Sequence, residues 1–329
     1  MLLFSIGAPT MKQPNQMGVY AFVPSYNHAP FVEKCLNSIV KQTLPPKKLL
    51  VIDDGSRDGS PQIIEKLLKD CPFDAELIVR RNRGLCATLN EGFAKSSGEY
   101  FAYLGSDDVW LPEFLEKRVE LLDERRQAVL AFGHAFLIDE NDRIVDCTEN
   151  WTSFENGDML PLLLRGVIFP SPSVVYRHAA LERHAWNEDS VLEDYELYLK
   201  LSADGGEFAF DKSVLCGWRQ HGSNVSGDFP LMLEEWIAAQ NRVADRLKIS
   251  SHELDKIQTK LKFDAVSSFI RHDERRRAIR LFLQNLSGAQ SVSQIAKTLL
   301  RLSIPPHFFR WNRRRKKLAA IKMYGKLEI

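Results

Sequence analysis

The sequence predicts an α/β protein in which a mainly parallel β-sheet is followed by a helical C-terminal region. Up to about residue 138, short β-rich runs alternate with longer segments of helical period, which is the pattern of βαβ units. From Leu231 onward the apolar residues follow helical spacing almost throughout. The charge divides at the same place, with 23 Lys and Arg against 34 Asp and Glu in residues 1–230, and 21 against 9 in residues 231–329.

We therefore divide the 329 residues into an N-terminal tail at 1–17, an α/β unit at 18–230 and a basic helical region at 231–329. The five cysteines are odd in number and contain no CxxC pair, which favours apolar packing over disulfides or a zinc cluster. No apolar run reaches the ~18 residues of a membrane span. The opening MLLFSIGA also lacks the basic segment of a signal peptide, so we expect a cytoplasmic protein.

The predicted order of the α/β unit is β-α-β-α-β-α-β, and a further helix and strand follow it. Ser60 is the predicted cap of the second helix, with Pro61 at its first position. Residues 139–192 are expected to be rich in loops. The predicted strands cover residues 18–23, 48–52, 75–79, 99–104, 129–138 and 208–218, and the predicted helices begin near residues 31, 60, 86, 112 and 193.

Polar side chains follow three of the first four strands, at the edge of the sheet where ligands gather in open α/β folds. They are Tyr26 and Asn27, the pair Asp53 and Asp54, and the pair Asp107 and Asp108. Two acidic pairs at one edge repel each other unless a cation or a donor lies between them. Two other interpretations stay open: DDGS also suits a β-turn, and either acid of the last pair suits a helix cap.

Phosphate-binding glycine loops of the GxGxxG or GxxxxGK[ST] type are absent from the sequence. A nucleotide would then be held by carboxylates on its base and ribose, with a divalent metal on its diphosphate.

Four segments in order resemble the motifs of glycosyltransferase family 2, in particular bacterial enzymes that build surface polysaccharides. The resemblance covers about residues 18–226 and implies the GT-A fold, with a mixed, mainly parallel sheet. It also implies an inverting enzyme that takes its sugar from a nucleotide-diphosphate donor. The segments are VPSYNHAPFVEKCLNSIVKQTLPPKKLLVIDDGSRDGS at 23–60, NRGLCATLNEGFAKSSGEYFAYLGSDDVW at 82–110, LEDYELYLKL at 192–201 and WRQHGSNVS at 218–226.

The resemblance implies a set of donor-binding residues. A carboxylate at Asp54 suits the imide N–H of uracil, so a UDP-sugar is the favoured donor. Asp107 matches the acid that binds the ribose. The implied contacts to the base and its surroundings are Pro24, Asp54, Tyr26, Asn27 and one or both of Arg81 and Asn82.

The resemblance also implies a Mn²⁺ or Mg²⁺ ion at the diphosphate. Asp108 matches its carboxylate ligand, and His221, in an RxH pattern, matches a histidine that approaches the metal or the diphosphate. A single histidine is otherwise more often structural. Many relatives have Asp where this chain has Gly105, and this departure weakens the metal prediction.

Asp194 resembles the catalytic base, which takes the proton of the acceptor hydroxyl opposite the leaving diphosphate. The alternative for Asp194 is an acid that only favours a helix N-terminus. Glu193 is expected to support the acceptor, and residues 165–173 to form part of the acceptor wall.

Residues 308–326 contain eight Lys or Arg and no acids, with aromatic residues interleaved. This composition predicts peripheral binding to an anionic membrane, at the inner face of the plasma membrane and beside a lipid-linked acceptor. A solvated tail and a nucleic-acid patch are the alternatives, and without an RNA or DNA module we predict no nucleic-acid partner. Because the motifs lie before residue 227, we expect donor hydrolysis not to need this region.

The predicted function is metal-dependent, inverting sugar transfer to a growing surface glycan. A sugar-phosphate nucleotidyltransferase is one alternative, but it would need a Gly-rich basic loop where this chain has VPSYNHAP. An inactive GT-A domain that serves as a membrane adaptor is the other. The presence of Asp54, Asp108 and Asp194 argues against it.

Overall fold

A computed structural model describes residues 18–151, 153–222, 224 and 227–328, so the predicted tail at 1–17 lies outside the described residues. The strands are β1 Val19–Ser25, β2 Lys48–Asp53, β3 Asp74–Val79, β4 Tyr100–Tyr103, β5 Val109–Trp110, β6 Ala128–Asp139, β7 Ile144–Cys147, β8 Val175–Arg177 and β9 Glu207–Gln220. The helices are α1 Val32–Val40, α2 Ser60–Lys69, α3 Leu85–Ala94, α4 Phe114–Glu124, α5 Leu160–Leu163, α6 His178–Leu181, α7 Glu193–Ala203, α8 Phe229–Leu247, α9 Ser251–Arg271, α10 Arg275–Gln284, α11 Val292–Ser303 and α12 Pro306–Tyr324.

The described strands form one mixed sheet in the order β3-β2-β1-β4-β8-β6-β9-β5, and β7 pairs with β6. The first four strands are parallel, and the two long strands β6 and β9 are parallel to each other. Strand β8 runs antiparallel to both β4 and β6 and so joins the two parallel groups. The predicted α/β class with a mixed, mainly parallel sheet is confirmed.

Helices cover both faces of the sheet, because alternate residues of its strands point to opposite sides. In β1, Ala21 and Val23 pack with the residues of α1, α2 and α4, whereas Phe22 belongs to the cluster on the opposite face. That second cluster also includes Trp236 of α8 and Phe269 of α9. The helical region therefore shares a core with the α/β unit instead of forming one of its own.

Residues 139–192, predicted to be rich in loops, contain the short elements β7, α5, β8 and α6. Strand β8 has three residues and β5 has two, which is too short for a hydrophobic period to reveal them.

The predicted cap of α2 is wrong by one position. Ser60 is the first helical residue, and Gly59 precedes it with a left-handed φ of 90°. Neither Asp107 nor Asp108 caps α4, which begins at Phe114 after Glu113. The helix-cap interpretation of that pair is therefore wrong.

The end of the basic region returns to the sheet. Lys326 forms an antiparallel β-bridge with Arg143, and Leu327 packs with Val109, Ile138 and Ile144. This contact joins the end of the basic region to the strands that follow the donor-binding motifs. None of the helices in the described residues is long and apolar enough to cross a membrane.

Candidate active site

The carboxyl ends of β2, β1 and β4 lie side by side and bring the predicted polar residues to one edge. Ser25 of β1 is level with Asp53 of β2, and the backbone N–H of Asp54 donates to the Ser25 carbonyl at 2.8 Å. Pro24 is buried within β1, opposite Ile52. The edge is therefore built by strand register, with β1 at its centre.

Asp54 is held by one side chain and two backbone amides. Its carboxylate pairs with the Arg80 guanidinium and accepts hydrogen bonds from the N–H groups of Arg83 and Gly84, at 2.9 and 2.8 Å. Arg80 also donates to Thr88 Oγ1 at 2.7 Å. The Asp54 side chain is thus fixed in place, and its negative charge is balanced by this chain's own Arg80.

Asp53, unlike Asp54, stabilises the turn that follows β2. It accepts hydrogen bonds from the backbone N–H and the hydroxyl of Ser56, at 2.8 and 2.7 Å, so the β-turn interpretation holds for this acid. The turn is fastened to the loop after β1, because Asn27 Oδ1 accepts from the Arg57 N–H and the Asn27 N–H donates to Ser56 Oγ. Asn27 therefore braces two loops of the edge.

The remaining predicted donor contacts are open to solvent. Tyr26 is 47% exposed, and both Arg81 and Asn82 are exposed. The backbone of Arg80 to Asn82 passes over Gly55, where an added Cβ would lie 2.9 Å from the Asn82 nitrogen and where φ is 84°. Only glycine suits that position, and it allows the two loops to form one surface next to Asp54.

Three side chains after β1, β4 and β9 form a group that can hold a cation. One ligand atom from each of His28, Asp107 and His221 lies within 4.8 Å of the other two. His221 Nε2 is 2.9 Å from Asp107 Oδ2, and His28 Nδ1 is 3.6 Å from Asp107 Oδ1. Two imidazoles and one carboxylate suit a divalent transition ion such as Mn²⁺.

The structure pairs His221 with Asp107, whereas the sequence paired it with Asp108. Asp108 instead accepts a hydrogen bond at Oδ1 from the backbone N–H of Arg219, at 2.7 Å, and is almost fully buried. Gly105, the position where the resemblance leads one to expect Asp, lies close to this turn. An added Cβ would lie 2.9 Å from Asp107 Oδ1, so an Asp at position 105 would compete with the present place of Asp107.

The two acids of this turn differ in their protonation. Burial alone would raise the pKa of Asp107, but the hydrogen bond from His221 and the nearby His28 outweigh it, so this pKa lies below its usual range. Burial, followed by the charge of Asp107, raises the pKa of Asp108 well above its usual range. Asp107 is the carboxylate that stays ionised.

Glu193 and Asp194 begin α7 and are set among buried aromatic residues. Burial and then the neighbouring Glu193 carboxylate raise the pKa of Asp194 well above its usual range. Burial also raises the pKa of Glu193, although the hydroxyls of Ser171 and Tyr103 hydrogen-bond to it. Both acids of this pair therefore hold a proton more readily than an exposed carboxyl does.

The predicted acceptor wall lies against this pair and is firmly attached. Ser171 reaches Glu193, Trp110 Nε1 donates to the Pro172 carbonyl at 2.8 Å, and Arg118 Nε donates to the Ser173 carbonyl at 3.1 Å. The second half of residues 165–173 therefore lies beside the predicted base, and it is packed on α4 and β5.

Helix α8 packs against α7, the helix that carries Glu193 and Asp194. Buried Gln240 donates to the Tyr195 hydroxyl at 2.9 Å and to the Leu164 carbonyl at 3.1 Å. Arg242 pairs with Glu196 at 2.6 Å. The C-terminal helical region thus contributes to the position of α7.

Three residues of the site were missed by the sequence analysis, namely His28, Arg80 and Arg219. Both His28 and Arg219 stand inside the quoted motifs, each next to or near an assigned residue. Arg80 follows Val79, which is level with Asp53 in the parallel register, so its nearness to Asp54 follows once β2 and β3 are paired. Strand register was the signal that could have found it.

This mixed, mainly parallel sheet with helices on both faces is the GT-A fold of glycosyltransferases. Two solved structures have this fold. The mannosyltransferase PcManGT from Pyrobaculum calidifontis, in complex with GDP-Man and Mn²⁺, has a TM-score of 0.61 at 16% identity, over 95% of this chain and 88% of that one. Residues 1–349 of S. aureus TarS, in complex with UDP-GlcNAc, have a TM-score of 0.59 at 19% identity, over 94% and 91%.

The chain belongs to glycosyl transferase family 2, whose model matches residues 20–185. An uncharacterised glycosyltransferase of Nostoc sp. is 30% identical over 51% of this chain and 53% of its own length. The putative teichuronic acid biosynthesis glycosyltransferase TuaG of Bacillus subtilis is 28% identical over 41% and 54%. Chondroitin synthase of Escherichia coli is 26% identical over 75% and 35%. The chain spans about half the length, or less, of these curated relatives.

Proposed function

We propose that this glycosyltransferase is a metal-dependent, inverting enzyme that moves a sugar from a nucleotide-diphosphate donor, with UDP favoured, to a hydroxyl of a growing surface glycan. One observation carries the proposal: the group of His28, Asp107 and His221 lies within electrostatic reach of the acidic pair on α7. Tyr103, the last residue of β4, hydrogen-bonds to Glu193 at 3.5 Å, and the turn with Asp107 follows the same strand. Burial is the main cause that raises the pKa of Glu193, and the nearby charge of Asp107 adds to it. This arrangement supports a cation site and a base that act at one reaction centre.

The residues present fit Mn²⁺ better than Mg²⁺, because two of the three are imidazoles and Mg²⁺ prefers oxygen ligands. Asp107 and His221 would hold it, with His28 next to them, and the ionised state of Asp107 favours binding. Bound there, the metal would neutralise the diphosphate and stabilise it as a leaving group. We assign Asp108 to the support of this turn, because Arg219 occupies one of its oxygens.

The donor's base would lie over Asp54, between the loop after β1 and residues 80–84. A carboxylate fixed by Arg80 and two amides presents its remaining acceptor capacity in one direction, which suits the imide N–H of uracil. Tyr26, Arg81 and Asn82 are exposed around it and are free to contact the nucleotide.

Asp194 would deprotonate the acceptor hydroxyl. Its raised pKa makes its ionised form a stronger base for proton abstraction. Glu193, bound by Tyr103 and Ser171, would orient the acceptor at the same place.

The test is a screen of UDP- and GDP-sugars for hydrolysis, with Mn²⁺, with Mg²⁺ and with EDTA. We expect release of UDP from a UDP-sugar that requires the metal. Release of pyrophosphate from UTP and a sugar phosphate would instead support a nucleotidyltransferase. Full hydrolysis in EDTA would contradict the metal-dependent mechanism, and no hydrolysis of any donor, with Asp194 intact, would favour an inactive adaptor.

We further propose that α12 holds the enzyme on the anionic inner face of the plasma membrane, next to a lipid-linked acceptor. The names of two relatives, which concern teichuronic acid and chondroitin, support a polysaccharide acceptor. In α12, Trp311 is 54% exposed and Leu318 58%, and the cations from Arg313 to Lys317 are all exposed. Each such cation contributes about 1 kcal/mol near an anionic surface.

Substitution tests this proposal better than deletion, because Lys326 bridges to Arg143 and Leu327 packs on the sheet. The double variant R313Q/R314Q should bind phosphatidylserine vesicles about 30-fold more weakly than the parent in low salt, from about 2 kcal/mol of lost attraction. The matched control is K66Q/K212Q, which removes two exposed cations from the α/β unit. An equal loss of vesicle affinity in both double variants would show a nonspecific charge effect and contradict a membrane role for α12.

A further inference from the structure

The turn with Asp107 and Asp108 is held from behind by one buried arginine. Arg219, which has no exposed surface, donates from its backbone N–H to Asp108 Oδ1 and from Nε to the Asp107 carbonyl, both at 2.7 Å. The two bonds reach consecutive residues of one turn. The place of Asp107 in the candidate metal group therefore depends on the place of Arg219.

Arg219 is itself held by the loop between β6 and β7. Its Nη1 donates to the Asp139 carbonyl at 2.9 Å and lies 2.9 Å from Asp142 Oδ1. Asp142 is buried, adopts a left-handed φ of 63° and also pairs with Lys34 of α1. Such a buried ion pair keeps its partners in one arrangement, since any movement leaves a charge unpaired.

The end of the basic region closes this cluster. The Leu327 N–H donates to the Asp142 carbonyl at 2.8 Å, and the Ile144 N–H donates to the Gly325 carbonyl at 3.0 Å. Lys326 Nζ lies 3.7 Å from Asp142 Oδ2. We name residues 325–327 the C-terminal bridge.

Leu327 also packs on the two strands that carry the acids and the arginine. It is only 9% exposed and lies against Val109, the residue after Asp108. A Cβ added to Gly217 would lie 2.7 Å from Leu327 Cδ2, so the leucine packs directly on β9 two residues before Arg219. Val109 and Gly217 are level with each other in the antiparallel pairing of β5 and β9.

We propose that Asp142 and the C-terminal bridge are positioning residues of the donor site, which act on Asp107 and Asp108 through Arg219. The helical region beyond residue 230 thereby completes a metal and diphosphate site whose own residues all lie before it. This role rests on the proposed metal-dependent function, because it assigns these residues to the same site.

Four variants of the full chain test the proposal. L327A and D142N remove the two supports, L327M retains the apolar packing, and L318A is the matched control for a leucine of α12 that is 58% exposed. We expect Mn²⁺ with UDP to bind about tenfold or more weakly to L327A and to D142N, which is the size of effect seen for groups that orient metal ligands. L318A should bind as the parent does, and L327M should restore most of the affinity.

Hydrogen exchange gives a second measurement that needs no metal. The backbone N–H groups of Asp108 and Arg219 should exchange faster in L327A than in L318A at a temperature where both variants are folded. Unchanged exchange and unchanged affinity in L327A, even with a lower melting temperature, would overturn the proposal and leave a merely structural role. Failure of the parent to bind Mn²⁺ with UDP would instead contradict the proposed function, and the exchange rates would still decide the positioning role.

Discussion

Two of the acidic pairs at the site, Asp107 with Asp108 and Glu193 with Asp194, have different surroundings. Asp107 faces two histidines, which keep its pKa low in spite of burial. Asp194 faces Glu193 and buried tyrosines, and among the described residues neither acid of that pair forms an ion pair with a cation. The low pKa of Asp107 suits the cation binding that we propose for it, and the burial of Asp194 suits the proton transfer that we propose there.

What distinguishes the pairs is contributed by distant parts of the chain. His221 and Arg219 come from the end of β9, whereas Tyr103 and Tyr176 come from strands at the middle of the sheet. A dipeptide of two acids thus has no fixed role by itself. Its role depends on whether cations or aromatic rings surround it.

The largest effect should come from the base. In D194N the amide keeps the shape of the side chain but cannot take a proton, so we expect turnover to fall by about 10²–10⁴-fold while donor binding stays nearly intact. Steady-state kinetics with an acceptor and binding of UDP with Mn²⁺ measure the two quantities. D189N, which changes an exposed acid five residues earlier, is the control. Near-normal turnover in D194N would contradict the assignment of Asp194 and indicate that Glu193 is the base.

A smaller effect should separate Asp107 from Asp108. In the parent, Mn²⁺ with UDP at 100 times the dissociation constant should add about 2.7 kcal/mol to the free energy of unfolding. D107N should lose most of this gain, because it removes a carboxylate of the candidate metal group. D108N keeps an oxygen that accepts from the Arg219 N–H, so this variant should retain more of the gain in unfolding free energy. Thermal unfolding with and without Mn²⁺ and UDP decides, and the reverse order would restore Asp108 as the main metal ligand.

The smallest effect concerns pH. Burial is the main reason that the pKa of Asp194 is raised, and the charge of Glu193 is the second. E193Q removes only the charge of Glu193, so the pKa of Asp194 should fall part of the way toward its usual range. Because the base must be ionised, the acid limb of the activity profile should move to lower pH. The pH dependence of kcat measures this shift, and movement toward higher pH would falsify the assigned coupling.

The sequence was sufficient for the parts of the site that strand order determines. Asp54 and Asp107 were found because acids directly after buried strands must lie at the carboxyl edge of a parallel sheet. Arg80 and His28 were missed because no register had been assigned, and their partners are 26 and 79 positions away. Long-range pairings of this kind leave no local pattern.

The same limit applies to the fold. Strands with many residues, such as β6 and β9, have a hydrophobic run that reveals them, whereas the three-residue β8 is defined only by its neighbours β4 and β6. The contact between Leu327 and Gly217 joins a region of helical pattern to a strand, and no periodicity indicates it. Domain limits drawn from composition therefore carry no information about the contact between the C-terminal bridge and β9.

The C-terminal bridge has a consequence for biosynthesis. Leu327 follows Arg219 by 108 positions, and a ribosome that adds about 5–20 residues per second needs roughly 5–20 s to cover them. During that interval the emerging chain has every acid of the donor edge but lacks the contact that secures Arg219. Nascent chains stalled before residue 325 should therefore fold their first strands and still bind UDP with Mn²⁺ poorly.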